Sequence, residues 1–207
     1  MKILLVAATY PEIAPFLQHY GLQEQSFQQL DKCDVLITGV GMVATAFALG
    51  QYLNLKSYDW VLNVGIAGTF DDAIALGELV EVATDQLIEL GAEDHDSFIT
   101  LDEMGLGRST FNGASPKFAN LTQCKGITVN TVHGREHSIT QIKIKYQAQV
   151  ESMEGAAVFY ACENIGLPAI QVRAISNKVE PRCTANWQIP LAVSNLNTWL
   201  IALVEKL

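Results

Sequence analysis

Arginine is scarce in this chain. Only four occur among 207 residues, Arg108, Arg135, Arg173 and Arg182, and the basic residues together number 13 against 22 acidic ones, a formal net charge of −9. A nucleic-acid backbone is held by clustered Lys and Arg, so no nucleic-acid partner is expected. Cysteine is equally sparse. Cys33, Cys124, Cys162 and Cys183 stand apart with no C-x-x-C pair, so the common zinc and redox motifs are missing and buried, reduced thiols are expected. No apolar run approaches the ~18 residues of a membrane helix. The opening run, MKILLVAA, stops at Ala8 and is followed by Tyr10, Pro11 and Glu12. It reads as a buried first strand rather than a leader, and a cytoplasmic protein with no membrane partner is expected. Internal repeats, low-complexity tracts and linkers are also lacking, so residues 1–207 are expected to form one domain.

What the chain does have is apolar bulk: 49% hydrophobic residues against 17% charged, the composition of a well-buried globular domain. Ile3–Ala8 and Val35–Thr38 are continuous apolar runs, as in strands covered on both faces. Trp60–Val64 and Ala169–Ser176 read the same way. Glu78–Ala83 alternates polar and apolar, and Ile127–Val132 is a further expected strand. Met42–Leu53 and Glu154–Ile165 are helical by composition, the second closed by Gly166 and Pro168. A last helix is expected from about Trp187 to Glu205, with Ile189, Val193, Leu196, Leu200 and Leu203 on one face. Strands alternating with helices indicate an α/β domain with a largely parallel central sheet. Gln86–Lys125 has no clear period and reads as functional loop.

Two of the strands run into glycines, Gly39-Val-Gly41 and Gly65-Ile-Ala-Gly68. Ligands of open α/β sheets bind at such carboxyl ends, although tight turns need glycine as well. Val43, Ala44 and Thr45 follow where a dinucleotide fingerprint needs its third glycine. Glu93-Asp94-His95-Asp96 is expected as a solvated or substrate-facing loop rather than a metal site, because consecutive residues do not share one face. His133 and His137 have i,i+4 spacing, but Gly134 weakens a helix there, and no metal is expected. Glu12, just past the first strand, is by itself an ordinary solvated carboxylate. Glu154 stands among small residues at a helix start, where the helix terminus can stabilise it. Arg173 lies inside an apolar strand and needs a buried partner.

The ordered set of these pieces resembles the nucleoside phosphorylase/nucleosidase superfamily over nearly the whole chain. The set is the opening strand leading to Glu12, then Gly39-Val-Gly41, Asn63-Val-Gly-Ile-Ala-Gly68, Leu76-Gly-Glu-Leu-Val80, Met153-Glu154 and Arg173-Ala-Ile-Ser-Asn177. Within the superfamily the chain is most similar to the futalosine hydrolases. That likeness rests on Glu89-Leu-Gly-Ala-Glu-Asp94, Glu151-Ser-Met-Glu-Gly-Ala-Ala157, Arg173 through Arg182, and Trp187-Gln-Ile-Pro-Leu-Ala192. The resemblance implies a mixed, twisted sheet flanked by helices, a homo-oligomer such as a dimer, and no cofactor. It implies a purine nucleoside as substrate: futalosine, cleaved to hypoxanthine and dehypoxanthinyl futalosine.

It also implies roles. Glu12 takes a proton from the attacking water. Glu154, with Met153 under the sugar, holds ribose hydroxyls and negative charge near the oxocarbenium-like centre. Asn177 stabilises the departing base, Ala67 and Gly68 offer backbone near base and sugar, and Arg173 orients the water or Glu154. Phosphorylases need Arg to hold phosphate, often before the Gly-x-x-Gly stretch, where this chain has Asn63. Water is therefore the expected acceptor. Methylthioadenosine nucleosidases carry Asp at the position of Asn177 and Ser at that of Ile66. An Asn amide can donate to both O6 and N7 of hypoxanthine, whereas an ionised Asp would repel them. The open alternatives are another nucleosidase or phosphorylase of the superfamily and a non-catalytic nucleoside binder. The benzoate on futalosine's 5′ side calls for a cation, with Arg108, Arg135 and His137 as candidates.

Overall fold

The computed structural model describes residues 1–95, 97–114 and 120–207. In chain order the first elements are β1 (Ile3–Ala7), α1 (Tyr10–His19), β2 (Phe27–Gln29), β3 (Cys33–Ile37), α2 (Met42–Tyr52) and β4 (Trp60–Thr69). Next come β5 (Leu79–Leu87), β6 (Gly91–Asp94), β7 (Ser97–Thr100), α3 (Leu101–Met104), β8 (Thr110–Asn112) and β9 (Thr122–Thr128). The last are α4 (Glu136–Tyr146), β10 (Val150–Ser152), α5 (Gly155–Glu163), β11 (Ala169–Lys178) and α6 (Ile189–Lys206).

One sheet runs β10-β9-β5-β11-β4-β1-β3-β2, with β8 added to β5. β1, β3, β4 and β11 are mutually parallel where they pair. β11–β5 and β10–β4 are antiparallel, so the sheet is mixed, as the family resemblance implied and strand–helix alternation alone did not. The β10–β4 pairing closes β4, β11, β5, β9 and β10 into a ring. All five strands contribute to one apolar cluster of Ala67, Val80, Val82, Cys124, Val150 and Ile175.

Helices cover the sheet on both sides because alternate strand residues are apolar on both. Leu5, Leu62, Val64, Ile170 and Val172 pack with Phe16 of α1 and with Leu196 and Leu200 of α6. Leu4, Val6 and Val61 pack with Leu49 of α2 and with Val158 and Phe159 of α5. A fully buried Leu or Phe of this kind contributes about 1.5–3 kcal/mol.

Several expectations shift. β4 does not end at Val64 but continues through Gly65–Gly68, because β11 pairs along its whole length. The expected strand Ile127–Val132 is displaced to Thr122–Thr128, where β5 and β10 supply its ladder. The acidic stretch is the exposed edge of a ribbon formed by β6 and β7, turning at His95 with φ of 53°; Asp96 lies outside the described residues. The supposed loop Gln86–Lys125 also holds α3 and β8, with 115–119 outside the described residues. Among the described residues no helix is long and apolar enough to cross a membrane, and no group of three or more His, Cys, Asp or Glu is placed to hold a metal ion.

Candidate active site

The carboxyl ends of β1, β4, β10 and β11 converge on a cavity of about 360 Å³. Glu12, Ala67, Gly68, Met153, Glu154 and Asn177 all line it. Arg173 does not; it is buried behind the wall at 1% exposure.

Glu12 arrives on α1, whose first turn it helps to close. Its Oε2 accepts from Thr9 N at 3.0 Å and from Thr9 Oγ1 at 2.9 Å, a back-bond that satisfies a free helix-start donor. Oε1 accepts from Ile66 N at 3.1 Å, across the end of β4. The helix is kinked just after, at Ile13. There the side-chain amide of Asn197 from α6 is inserted into the ladder, donating to Glu12 O at 2.9 Å and accepting from Phe16 N at 3.0 Å. Pro15, inside the helix, and this inserted side chain are both recognised causes of such a kink. The Asn197 amide fixes the turn carrying Glu12 to the far end of the chain.

Glu154 precedes the first turn of α5, and Gly41 N donates to its Oε1 at 2.9 Å. Burial is the largest influence on this carboxyl and raises its pKa; Arg173 and the Gly41 N–H oppose the rise, and Glu12 adds to it. Two carboxylates thus face one cavity, each fixed by backbone donors.

Arg173 sits on β11 beside Gly65 of β4. Its Nη2 donates to Asn63 Oδ1 at 2.6 Å and to Gln171 Oε1 at 2.9 Å. The buried partner that the sequence demands is therefore a pair of amides and not a carboxylate. A Cβ on Gly65 would overlap Arg173 Nη1 and lie 2.7 Å from Glu12 Oε1, so glycine is what leaves room for both the guanidinium and the carboxylate beside β4. From Gln171 the network continues inward. Gln171 Nε2 donates to Asp85 Oδ2 at 2.8 Å, Thr128 Oγ1 donates to Asp85 Oδ1 at 2.8 Å, and Ala156 N donates to Thr128 Oγ1 at 2.8 Å. Burial pushes the Asp85 carboxyl up to about 6, against hydrogen bonds from Gln171 and Thr128 and the charge of Arg173. The chain of polar groups ends at the first turn of α5, next to Glu154.

Asn177 is aimed by a bulge: β11 pairs Ile175 with Ala67 and then Asn177 with Gly68, so Ser176 is the extra residue. Ser176 Oγ lies 2.8 Å from Asn177 Oδ1, and Asn177 Nδ2 donates to Lys178 O at 2.9 Å. One amide hydrogen is thereby engaged and one is left for a ligand, where the sequence suggested two.

The cavity is also lined by residues to which the sequence assigns no role. His133 Nδ1 meets Glu151 Oε2 at 2.7 Å, and His133 N donates to Glu151 Oε1 at 3.0 Å. The Glu151 hydrogen bond raises the pKa of His133, against its burial. In sequence His133 pairs by spacing only with His137, because its true partner Glu151 is 18 residues away. Trp187, Arg182 and Lys178 also line the cavity. Among the described residues, Arg108, Arg135 and His137 do not; Arg108 instead pairs with Glu163 and lies over Phe111.

The Phosphorylase superfamily profile matches residues 2–204. The futalosine hydrolase of Streptomyces coelicolor is 32% identical over 178 residues, spanning 80% of this chain and 76% of its own length. That of Acidothermus cellulolyticus is 32% identical over 183 residues, spanning 82% and 74%. Among solved structures, the 5′-methylthioadenosine/S-adenosylhomocysteine nucleosidase from Helicobacter pylori, with butyl-thio-DADMe-Immucillin-A, has a TM-score of 0.83 at 17% identity, covering 100% of this chain and 99% of its own. At that identity the likeness establishes the fold alone. The profile and the two sequence relatives establish more: the chain belongs to the phosphorylase superfamily and, within it, to the futalosine hydrolase family.

Proposed function

We propose that this chain hydrolyses the N-glycosidic bond of futalosine, releasing hypoxanthine and dehypoxanthinyl futalosine on the futalosine route to menaquinone. The observation that carries the proposal is the pair Glu12 and Glu154 facing one cavity with Asn177 between the same strand ends. Glu12 keeps acceptor capacity for a water proton while Thr9 and Ile66 fix its position. Glu154 holds ribose hydroxyls and offsets the positive charge that develops on the sugar. Met153 packs against the sugar, and Ala67 and Gly68 form the neighbouring backbone wall. Asn177 donates its remaining hydrogen to the departing 6-oxopurine. Arg173 acts from behind, as a positioning residue for the Glu12–Glu154 pair. A binder without catalysis has no need of a second carboxylate, Glu12, facing the same cavity as Glu154.

The rival reading is a nucleosidase acting on 6-aminopurine substrates, such as methylthioadenosine. The amide at position 177 favours the 6-oxopurine, because its oxygen already accepts from Ser176 Oγ and its remaining N–H can pair with an acceptor of that base, whereas a 6-amino group is itself a donor. The protein is proposed to be a homodimer working in the cytoplasm. Supporting the dimer, Val43 and Phe47 of α2 are 82% and 67% exposed, side by side on one face.

The test is product analysis in phosphate buffer with futalosine, inosine and methylthioadenosine. Free hypoxanthine and a sugar hemiacetal are expected from futalosine. A sugar 1-phosphate as main product would contradict hydrolysis, and adenine release from methylthioadenosine at a higher kcat/KM would favour the rival.

A further inference from the structure

Four carboxylates line the cavity, Glu12, Glu151, Glu154 and Glu180, against three basic side chains, His133, Lys178 and Arg182. Two of the three basic groups are committed. His133 is held by Glu151 at 2.7 Å. Lys178 Nζ donates to Asp71 O at 2.8 Å and Ile74 O at 3.0 Å, with Asp72 at 3.8 Å. Arg182 differs. Its guanidinium has no hydrogen-bonding or carboxylate partner among the described residues and lies over the Trp187 ring, 4.8 Å from the centroid. Glu180, the nearest carboxylate in sequence, is turned to Asn186, whose Nδ2 donates to its Oε1 at 2.7 Å. The backbone at Arg182 is pinned, since its N–H donates to Gly134 O at 3.2 Å. Arg182 is solvent-exposed, so it marks the open side of the cavity.

A cavity walled by carboxylates repels an anionic ligand everywhere except at an uncommitted cation. A guanidinium fork matches a carboxylate through two parallel N–H bonds. A guanidinium held over an indole also costs little further ordering when it binds. The adjoining surfaces of Trp187, Ile189 and Val132 are apolar and accept a flat ring. We propose that Arg182 and Trp187 form a subsite for an aromatic carboxylate attached to the sugar of the nucleoside, and that this subsite selects a carboxylated substrate over an unsubstituted nucleoside. The proposal rests on the futalosine reading above and assigns its benzoate end to Arg182, in place of the three cations considered from sequence.

The experiment is steady-state kinetics on futalosine and inosine for the wild type, Arg182→Gln, Arg182→Lys and Trp187→Leu. Arg182 is exposed and its side chain makes no structural hydrogen bond, so its variants are expected to fold. Arg182→Gln should lower kcat/KM for futalosine about 10- to 100-fold, through KM, because binding to a remote carboxylate is uniform between ground and transition states. Inosine turnover should stay within about threefold of wild type. Arg182→Lys should recover part of the loss, and Trp187→Leu should act in the same direction. Benzoate should compete with futalosine in the wild type, weaken as an inhibitor in Arg182→Gln, and leave inosine cleavage little changed in both; competition with inosine instead would place benzoate in the nucleoside site and not in this subsite. An equal loss on both substrates, or no loss on either, overturns the subsite and leaves the hydrolase reading standing. Failure of the wild type to release hypoxanthine from either nucleoside overturns both.

Discussion

Asn177 offers one hydrogen to a ligand, because Lys178 O takes the other. Replacing it with Asp removes that donor and puts charge opposite two acceptors of hypoxanthine. Asn177→Asp should therefore shift the ratio of kcat/KM for 6-oxo over 6-amino substrates by about 2–4 kcal/mol, roughly 30- to 1,000-fold, toward the 6-amino base. An unchanged ratio would show that this residue does not read the base. Glu12→Gln keeps the shape and most of the hydrogen bonds but cannot take a proton. Its kcat should fall roughly 10²–10⁴-fold with the melting temperature little changed. At Asp85 the consequence is one of pH. Its pKa in the folded protein, about 6, is raised above the unfolded value. The stability it contributes is thus fully present below about pH 4 and lost as pH rises through about 6. Asp85→Asn has no proton to lose. Its destabilisation relative to wild type should be greatest at pH 4 and shrink by about 2–3 kcal/mol by pH 7. Thermal melts at pH 4, 5.5 and 7 measure this; a constant gap would mean that Asp85 does not titrate in that range.

At the scale of the element, α1 depends on α6. Asn197 satisfies Glu12 O and Phe16 N at the kink. Asn197→Leu leaves both groups unpaired in a buried place and should cost about 2–4 kcal/mol. It should also lower kcat, since the turn carrying Glu12 is released. Leu203→Ala, which opens a hole lower in α6, should cost about as much stability with kcat kept. Equal kcat in the two variants would separate the kink from catalysis. The sequence disclosed such elements unevenly. β1, β3 and α6 were legible because their burial is written in continuous apolar runs or a helical stripe. β9 lies off its expected span and β4 runs on past Val64, because both owe their extent to distant strands. Asp85, Gln171 and Thr128 carry no local signal of a network, since Gln171 meets Asp85 from 86 residues away. Arg173 alone advertised the network, because a buried guanidinium must be answered. Local sequence says that an answer exists but not which residues give it. Glu12, Glu154 and Asn177 were found through ordered motifs, and their shared cavity could be seen only in three dimensions.

At the scale of the whole molecule, Val43 and Phe47 lie on α2 close to Val40, which lines the cavity. A partner seated on that face would cover apolar surface beside the site. Phe47→Asp should therefore convert a dimer to a monomer in sedimentation velocity, with weaker substrate binding as the second effect. A wild-type monomer at micromolar concentration would refute the dimer. The place of β11 has a further consequence, for how the chain is made. β11 lies between β4 and β5, which follow each other in sequence but are not neighbours. When β5 leaves the ribosome, about 80 residues remain to be synthesised before its partner appears, on the order of 4–16 s of translation. Throughout that interval the nascent chain carries an open slot with two unpaired strand edges, the kind of surface that recruits other chains. The strand that fills the slot brings Arg173 and Asn177 with it, so the exposure of those two edges ends at the step that completes the active site.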